Sequence, residues 1–208
     1  PESLSIPKGA RIKKKRILQP DDLVKLFTSD MTLYRGKVQR DDFINAYRFA
    51  VLTGLRPGEI KGLKWDDIHG DLVSINRSIN IYGETTDGKN EDAIRTFALT
   101  PLAKSVIDDQ RKYRDTEYIF DIGSTCGYYK RWQKYCSHNG MTVTSLYEIR
   151  HTFVSVVKEL PEGKLKALVG HSENMDTIGT YGHEISGEME DTANMLQEIF
   201  EKILHQKS

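Results

Sequence analysis

The sequence predicts a mainly α-helical domain interrupted by a small antiparallel β-sheet, an α+β arrangement, and three observations predict it. Apolar residues recur at helical spacing through the first third, the period switches to two between Leu72 and Leu99, and helical spacing returns from Tyr128 to Leu204. The chain has 208 residues, 38% of them apolar and 29% charged, enough for one core of ordinary size.

Each element has a local cause. Gln19-Pro20-Asp21-Asp22 opens a helix with acids in its first turn and Leu23, Leu26 and Phe27 on its stripe. Asp41-Asp42 opens the next, carried by Phe43, Ala46, Tyr47 and Ala50 to a stop at Gly54. Pro57 suits the first position of a third helix, with Ile60 and Leu63 on its apolar side. Leu72–Tyr82 places Ile75, Ile79 and Ile81 on odd positions with Arg77 among them, a strand that Ala93–Leu99 returns across the Gly83–Asn90 loop. Thr100-Pro101 caps a helix to about Tyr113, and Tyr118-Ile119-Phe120 suggests a further short strand. Helices follow at Tyr128–His138, stopped by Gly140, at Ser145–Leu160, opened by a Ser145/Glu148 capping box, and at Lys164–Val169, stopped by Gly170. Ile185–Leu204 is a last amphipathic helix with Met189, Met195, Leu196, Ile199, Phe200 and Ile203 on its apolar face.

Several classes drop out. No apolar run approaches the roughly 20 residues that cross a bilayer, and the first thirty residues are charged where a signal peptide would be apolar. Cys126 and Cys136 are too few for a disulfide framework, which points to a reducing cytoplasm. The first residue is Pro1, which fits a piece of a longer chain. Thirty basic and thirty acidic residues cancel, but they are segregated. Lys8, Arg11, Lys13, Lys14, Lys15 and Arg16 crowd one short arm, whereas Glu184, Glu188, Glu190, Asp191, Glu198 and Glu201 dominate the end. The arm reads either as a phosphate-tracking linker or as a solvated lead-in.

Three segments place chemistry-bearing side chains at helix edges: Thr53-Gly54-Leu55-Arg56-Pro57-Gly58-Glu59-Ile60, Leu146-Tyr147-Glu148-Ile149-Arg150-His151-Thr152-Phe153, and Leu168-Val169-Gly170-His171 running on to Tyr181-Gly182-His183. Arg56 stands just before a helix start, where a guanidinium and backbone N–H groups both face an anion. Arg150 lies three residues after Tyr147, on the same helix face. A lone arginine at a helix end is most simply half of a surface ion pair, so the information lies in the set.

In this order the segments resemble the tyrosine recombinases, the phage-type integrase family, and more narrowly the integrases of bacterial conjugative transposons. Arg56 with Glu59 matches a first arginine in a T-G-x-R-x-x-E context, and Lys89, six residues ahead of Arg95-Thr96-Phe97-Ala98-Leu99, matches a hairpin lysine. Arg150 followed by His151 matches the second arginine of H-x-x-R-H, while Gly170-His171-Ser172 and Tyr181-Gly182-His183 match G-H-S and Y-x-H. Tyr147 departs from the pattern, standing where the family most often has histidine. A phenol with a pKa near 10 makes a poor general base but can donate to a phosphate oxygen.

The resemblance implies site-specific DNA recombination, the integration or excision of a mobile element, through a covalent 3′-phosphotyrosyl intermediate with no metal, ATP or other cofactor. It casts Tyr181 as nucleophile, Arg56, Arg150, Lys89, His171 and Tyr147 as the other catalytic groups, and Glu59, His151 and His183 as supports. It also implies double-stranded DNA as partner, held by Lys8, Arg11, Lys13, Lys14, Lys15, Arg16 and Arg95, in the bacterial cytoplasm. Residues 1–18 are then a linker, 19–183 the catalytic domain, and 184–208 a helical tail docking in trans within a DNA-bound homo-tetramer. A type IB topoisomerase and a DNA-binding regulator with a decayed site are the alternatives.

Elementary chemistry agrees with these roles. Attack on a phosphodiester piles charge onto its non-bridging oxygens, which two permanently protonated forks absorb. A tyrosyl phosphodiester stores the cleaved bond's energy, and the departing alkoxide needs a proton that lysine, unlike arginine, can supply. The acid pairs Asp41-Asp42, Asp66-Asp67 and Asp108-Asp109 sit in no ligand motif with histidine, and Cys126, Cys136 and His138 match no common zinc spacing. Gly54, Gly58 and Gly62 do not form a nucleotide-binding loop.

Overall fold

The computed structural model describes residues 15–87, 94–113, 116–170 and 187–205. The first helix, α1 (Pro20–Thr28), starts where expected, with Pro20 at its first turn and the Asp22 carboxylate accepting from the Gln19 N–H at 3.0 Å. A hairpin follows that the sequence pattern does not announce, β1 (Met31–Tyr34) paired with β2 (Lys37–Arg40). Its turn puts Arg35 at φ 50° and Gly36 at φ 77°, the paired left-handed conformation of a two-residue hairpin loop. Thr32 is the buried side chain while Met31, Leu33 and Val38 are exposed, so the apolar alternation runs opposite to the packing.

Helix α2 (Ile44–Thr53) is the axis of the core, buried on nearly every side through Ile44, Tyr47, Phe49, Val51 and Leu52. Asp41 is more than a helix-start acid. It is fully buried, accepts from the Phe43 N–H and pairs with Arg131 at 3.0 Å. Gly54 ends α2 at φ 66°, and a Cβ there would run into the Phe153 ring. Helix α3 (Pro57–Gly62) begins three residues later. A Cβ on Gly58 would clash with the Ser78 hydroxyl, so glycine lets α3 lie against the neighbouring strand.

The expected strand over Leu72–Tyr82 is broken at Asn76. After the short β3 (Ile68–His69), β4 (Leu72–Ile75) sits between β3 and β7 (Arg95–Ala98), whereas β5 (Arg77–Ile79) pairs with β6 (Thr85–Asp87) in a separate hairpin. The break has a polar cause: Asn76 donates to Asp67 at 3.0 Å and Arg77 forms an ion pair with the same carboxylate. Tyr118–Phe120 makes only one bridge, to Lys64, instead of a strand.

Helices α4 (Pro101–Arg111), α5 (Thr125–His138), α6 (Leu146–Val156) and α7 (Glu162–Val169) follow, with Thr100, Ser124 and Ser145 as side-chain caps of the first three. Helix α6 stops four residues short of Leu160, in the β-branched run Val154, Val156, Val157. Trp132 and Tyr135 of α5 close over Tyr47, with ring centroids 4.7 and 5.7 Å away. The last described helix, α8 (Glu188–His205), packs on its own chain's core in this single-chain structure. Phe200 is fully buried and stacked on Phe153 at 6.5 Å, and the Gln197 side chain accepts from the Leu102 N–H. An apolar face with a complementary surface within reach needs no partner chain to bury it.

The end of the expected linker touches the core: the Arg16 N–H donates to Glu148 at 2.9 Å, the Leu18 N–H donates to the Thr152 hydroxyl, and Leu18 is buried. Among the described residues no helix is long and apolar enough to cross a membrane.

Candidate active site

Four side chains from three elements meet at the end of α7. Arg56 comes from the N-cap of α3, Glu59 from its first turn, Arg95 from the start of β7 and Arg150 from the middle of α6. Local sequence explains each position. The Gly54 turn and Pro57 place Arg56 at the helix entrance, the Ser145 cap sets the phase that turns Arg150 inward, and β-sheet alternation puts Arg95 on the same face as Phe97.

Glu59 is the hub. Its Oε1 accepts from Arg56 Nη1 at 2.8 Å and from Arg95 Nη1 at 3.1 Å, while Oε2 accepts from the Arg56 N–H at 2.8 Å and from Arg95 Nη2 at 2.9 Å. Burial alone would raise its pKa, but the hydrogen bonds and charge of Arg95, followed by those of Arg56, hold it below the ordinary carboxylate value. Arg150 is 2% exposed and donates to the Gly54 carbonyl at 2.9 Å and the Val169 carbonyl at 2.6 Å. Burial, with the charge of nearby Arg56 next, pulls its pKa down to about 10, which leaves it charged at neutral pH. The Arg56 side chain, 32% exposed, also reaches the Gly170 carbonyl at 3.2 Å.

Among the described residues, three guanidinium groups and one carboxylate leave a local excess of two positive charges. Forked cations in a desolvated setting suit an anion with several equivalent oxygens, and a phosphodiester is such an anion.

The expected residues divide as follows. Arg56, Glu59 and Arg150 are brought together. Tyr147 is 47% exposed one turn before Arg150, and its ring meets His151 edge-on at 5.4 Å. Burial and then the charge of Lys15 depress the His151 pKa, so the end of the basic arm lies beside this face of α6. Lys15 and Arg16 are themselves exposed. Arg95, expected among the DNA contacts, is 7% exposed and forms a two-pronged ion pair with Glu59. The missed signal was its register: a residue two positions before the buried Phe97 points inward, and an inward arginine requires a carboxylate. Lys8, Arg11, Lys13, Lys14, Lys89, His171, Tyr181 and His183 lie outside the described residues.

The acid pairs are occupied by cations, Asp41 by Arg131, Asp67 by Arg77 and Asp109 by Arg40 and Lys112. Cys126 and Cys136 are both free thiols.

Residues 16–187 match the family model of the phage integrases. The chain is 24% identical over 213 residues to the ICEBs1 integrase of Bacillus subtilis, covering 90% of this chain and 55% of that protein. It is 27% identical over 179 residues to the prophage integrase IntR of Escherichia coli, covering 70% and 42%. The chain thus spans about half the length of the curated relatives it matches. Among solved structures, the Tn1549 transposon integrase in complex with circular intermediate DNA shares its fold with a TM-score of 0.62 at 19% identity, covering 90% of this chain and 68% of that one. A lambda integrase tetramer bound to a Holliday junction gives 0.57 at 15% identity, covering 78% and 48%.

Proposed function

Since the chain belongs to the phage integrase family, we propose that it is a site-specific DNA strand transferase that integrates or excises a mobile element. The Tyr181 oxygen attacks a scissile phosphorus, a phosphotyrosyl bond forms at the 3′ side, and the bond to the 5′ oxygen breaks. Lys89 gives that oxygen its proton, and the 5′-hydroxyl of a second strand later reverses the step, so neither metal nor nucleotide is consumed. Arg56 and Arg150 receive the charge growing on the non-bridging oxygens, assisted by His171 and by a hydrogen bond from Tyr147. Glu59 holds Arg56, while His151 and His183 brace the elements around the site.

The observation that carries the reading is the convergence of Arg56 and Arg150 on one short stretch of backbone with, among the described residues, a single carboxylate to balance them. In the same reading the basic residues from Lys8 to Arg16 track the phosphate backbone, and four copies assemble on DNA, as lambda integrase does on a Holliday junction. The protein then acts on DNA in the bacterial cytoplasm.

The experiment is incubation with duplexes nicked near the crossover, followed by denaturing electrophoresis. A denaturant-stable protein–DNA adduct, absent in Tyr181→Phe, is expected. Duplex binding with no adduct under any nick placement would leave a DNA-binding protein and sink the reading.

A further inference from the structure

Three consecutive carbonyls at the end of α7 each accept from a different arginine. Arg95 Nε donates to Leu168 at 2.8 Å, Arg150 Nη2 to Val169 at 2.6 Å and Arg56 Nη2 to Gly170 at 3.2 Å. The last carbonyls of a helix have no intrahelical partner and carry the negative end of its dipole, so this terminus is itself an anion-like ligand. Arg95 bonds both ends of the cluster, since its two terminal nitrogens take one oxygen each of Glu59, and Arg56 fills the other site on each of those oxygens.

We propose that Arg95 is a positioning residue for strand cleavage: it saturates Glu59 together with Arg56 and grips Leu168, setting the Arg56 fork against the end of α7 without touching DNA. The inference rests on the reading of Arg56 as a phosphate ligand. Without Arg95, Glu59 faces Arg56 alone on its own helix and Arg150 from α6, and its charge cancels that of Arg56. With Arg95 present, the carboxylate is shared and Arg56 keeps cationic character for a phosphate.

The test uses the full chain and nicked duplexes selected from a randomised pool by covalent capture on the wild-type protein. Arg95→Gln is expected to slow adduct formation at saturating duplex by at least about ten-fold while shifting the half-saturating concentration by less than about three-fold. The salt dependence of duplex binding stays that of wild type, whereas a lost phosphate contact would lower the slope by about one. Arg95→Gln is also expected to recover part of its lost rate relative to wild type as pH falls and Glu59 takes up a proton, since the charge that cancels Arg56 is then removed, and Arg95→Lys abolishes that acid recovery while restoring only part of the rate. Thermal unfolding of both variants separates misfolding from misplacement, and Arg95→Lys carries the salt and rate readouts if the glutamine variant does not fold. A reduced salt slope, or an unchanged rate in both variants, overturns the positioning role and leaves strand transfer standing. Failure of the wild-type chain to capture any duplex overturns strand transfer and this inference with it.

Discussion

Arg56 and Arg150 reach neighbouring peptide carbonyls, Gly170 at 3.2 Å and Val169 at 2.6 Å, from two different helices. Adjacent Cα atoms are about 3.8 Å apart, so the two forks stand side by side. Their mutual repulsion, second to burial, is what depresses the Arg150 pKa. An anion placed between them would relieve that repulsion.

Their unequal burial predicts unequal phenotypes. Arg56→Gln is expected to lower adduct formation by about a hundred- to a thousand-fold with under about 1 kcal/mol lost in urea unfolding, because Glu59 keeps Arg95 and the side chain is partly exposed. Arg150→Gln is expected to lose a similar factor in rate and also about 2–3 kcal/mol of stability, because the Gly54 and Val169 carbonyls it joins are left without a charged donor.

Glu59 predicts an acid limb in stability. Its folded-state pKa lies below the ordinary 4.5, so its contribution is complete above that value and is lost as pH falls through the folded pKa. Glu59→Gln is therefore expected to be less stable than wild type by about 3–5 kcal/mol at pH 7, and the gap should close in denaturant melts run at progressively more acid pH. A gap that stayed constant down to the acid transition would remove the ion-pair explanation.

Gly54→Ala combines two costs. The left-handed backbone adds about 1–2 kcal/mol and the intrusion on Phe153 about 1–3 kcal/mol, so equilibrium unfolding should register a loss of about 2–5 kcal/mol. Cleavage should fall as well, since the Gly54 carbonyl holds Arg150.

Phe200→Ala tests the seat of the last helix. Packing on its own core predicts about 3–5 kcal/mol of destabilisation, with a wild-type Tm that does not change with protein concentration. A Tm that rises with concentration would place the helix on a neighbouring copy in solution.

Helices α1 to α5 and α7 were legible because caps, proline starts and glycine stops act within a few residues. The same holds for Arg56 and Arg150 as candidates, since a T-G-x-R-x-x-E run and an arginine within a capped helix are local patterns. The hairpin over Met31–Arg40 was not legible, because its buried residue is Thr32 and its apolar residues face outward. The break at Asn76 was equally hidden, since it depends on Asp67, which is close in space through the fold of the intervening turn.

By itself, the order of residues determined which segments are helical, where most of them start, and which two arginines stand out as candidates, because propensity and capping are short-range. Only the tertiary structure decided that Arg95 pairs with Glu59, that the end of α7 is the meeting point of three guanidinium groups, and that the last helix rests on Phe153. Those outcomes depend on which groups share a desolvated volume, where an unpaired charge or an exposed apolar face is too costly to persist, and that cost is set by neighbours far away along the chain.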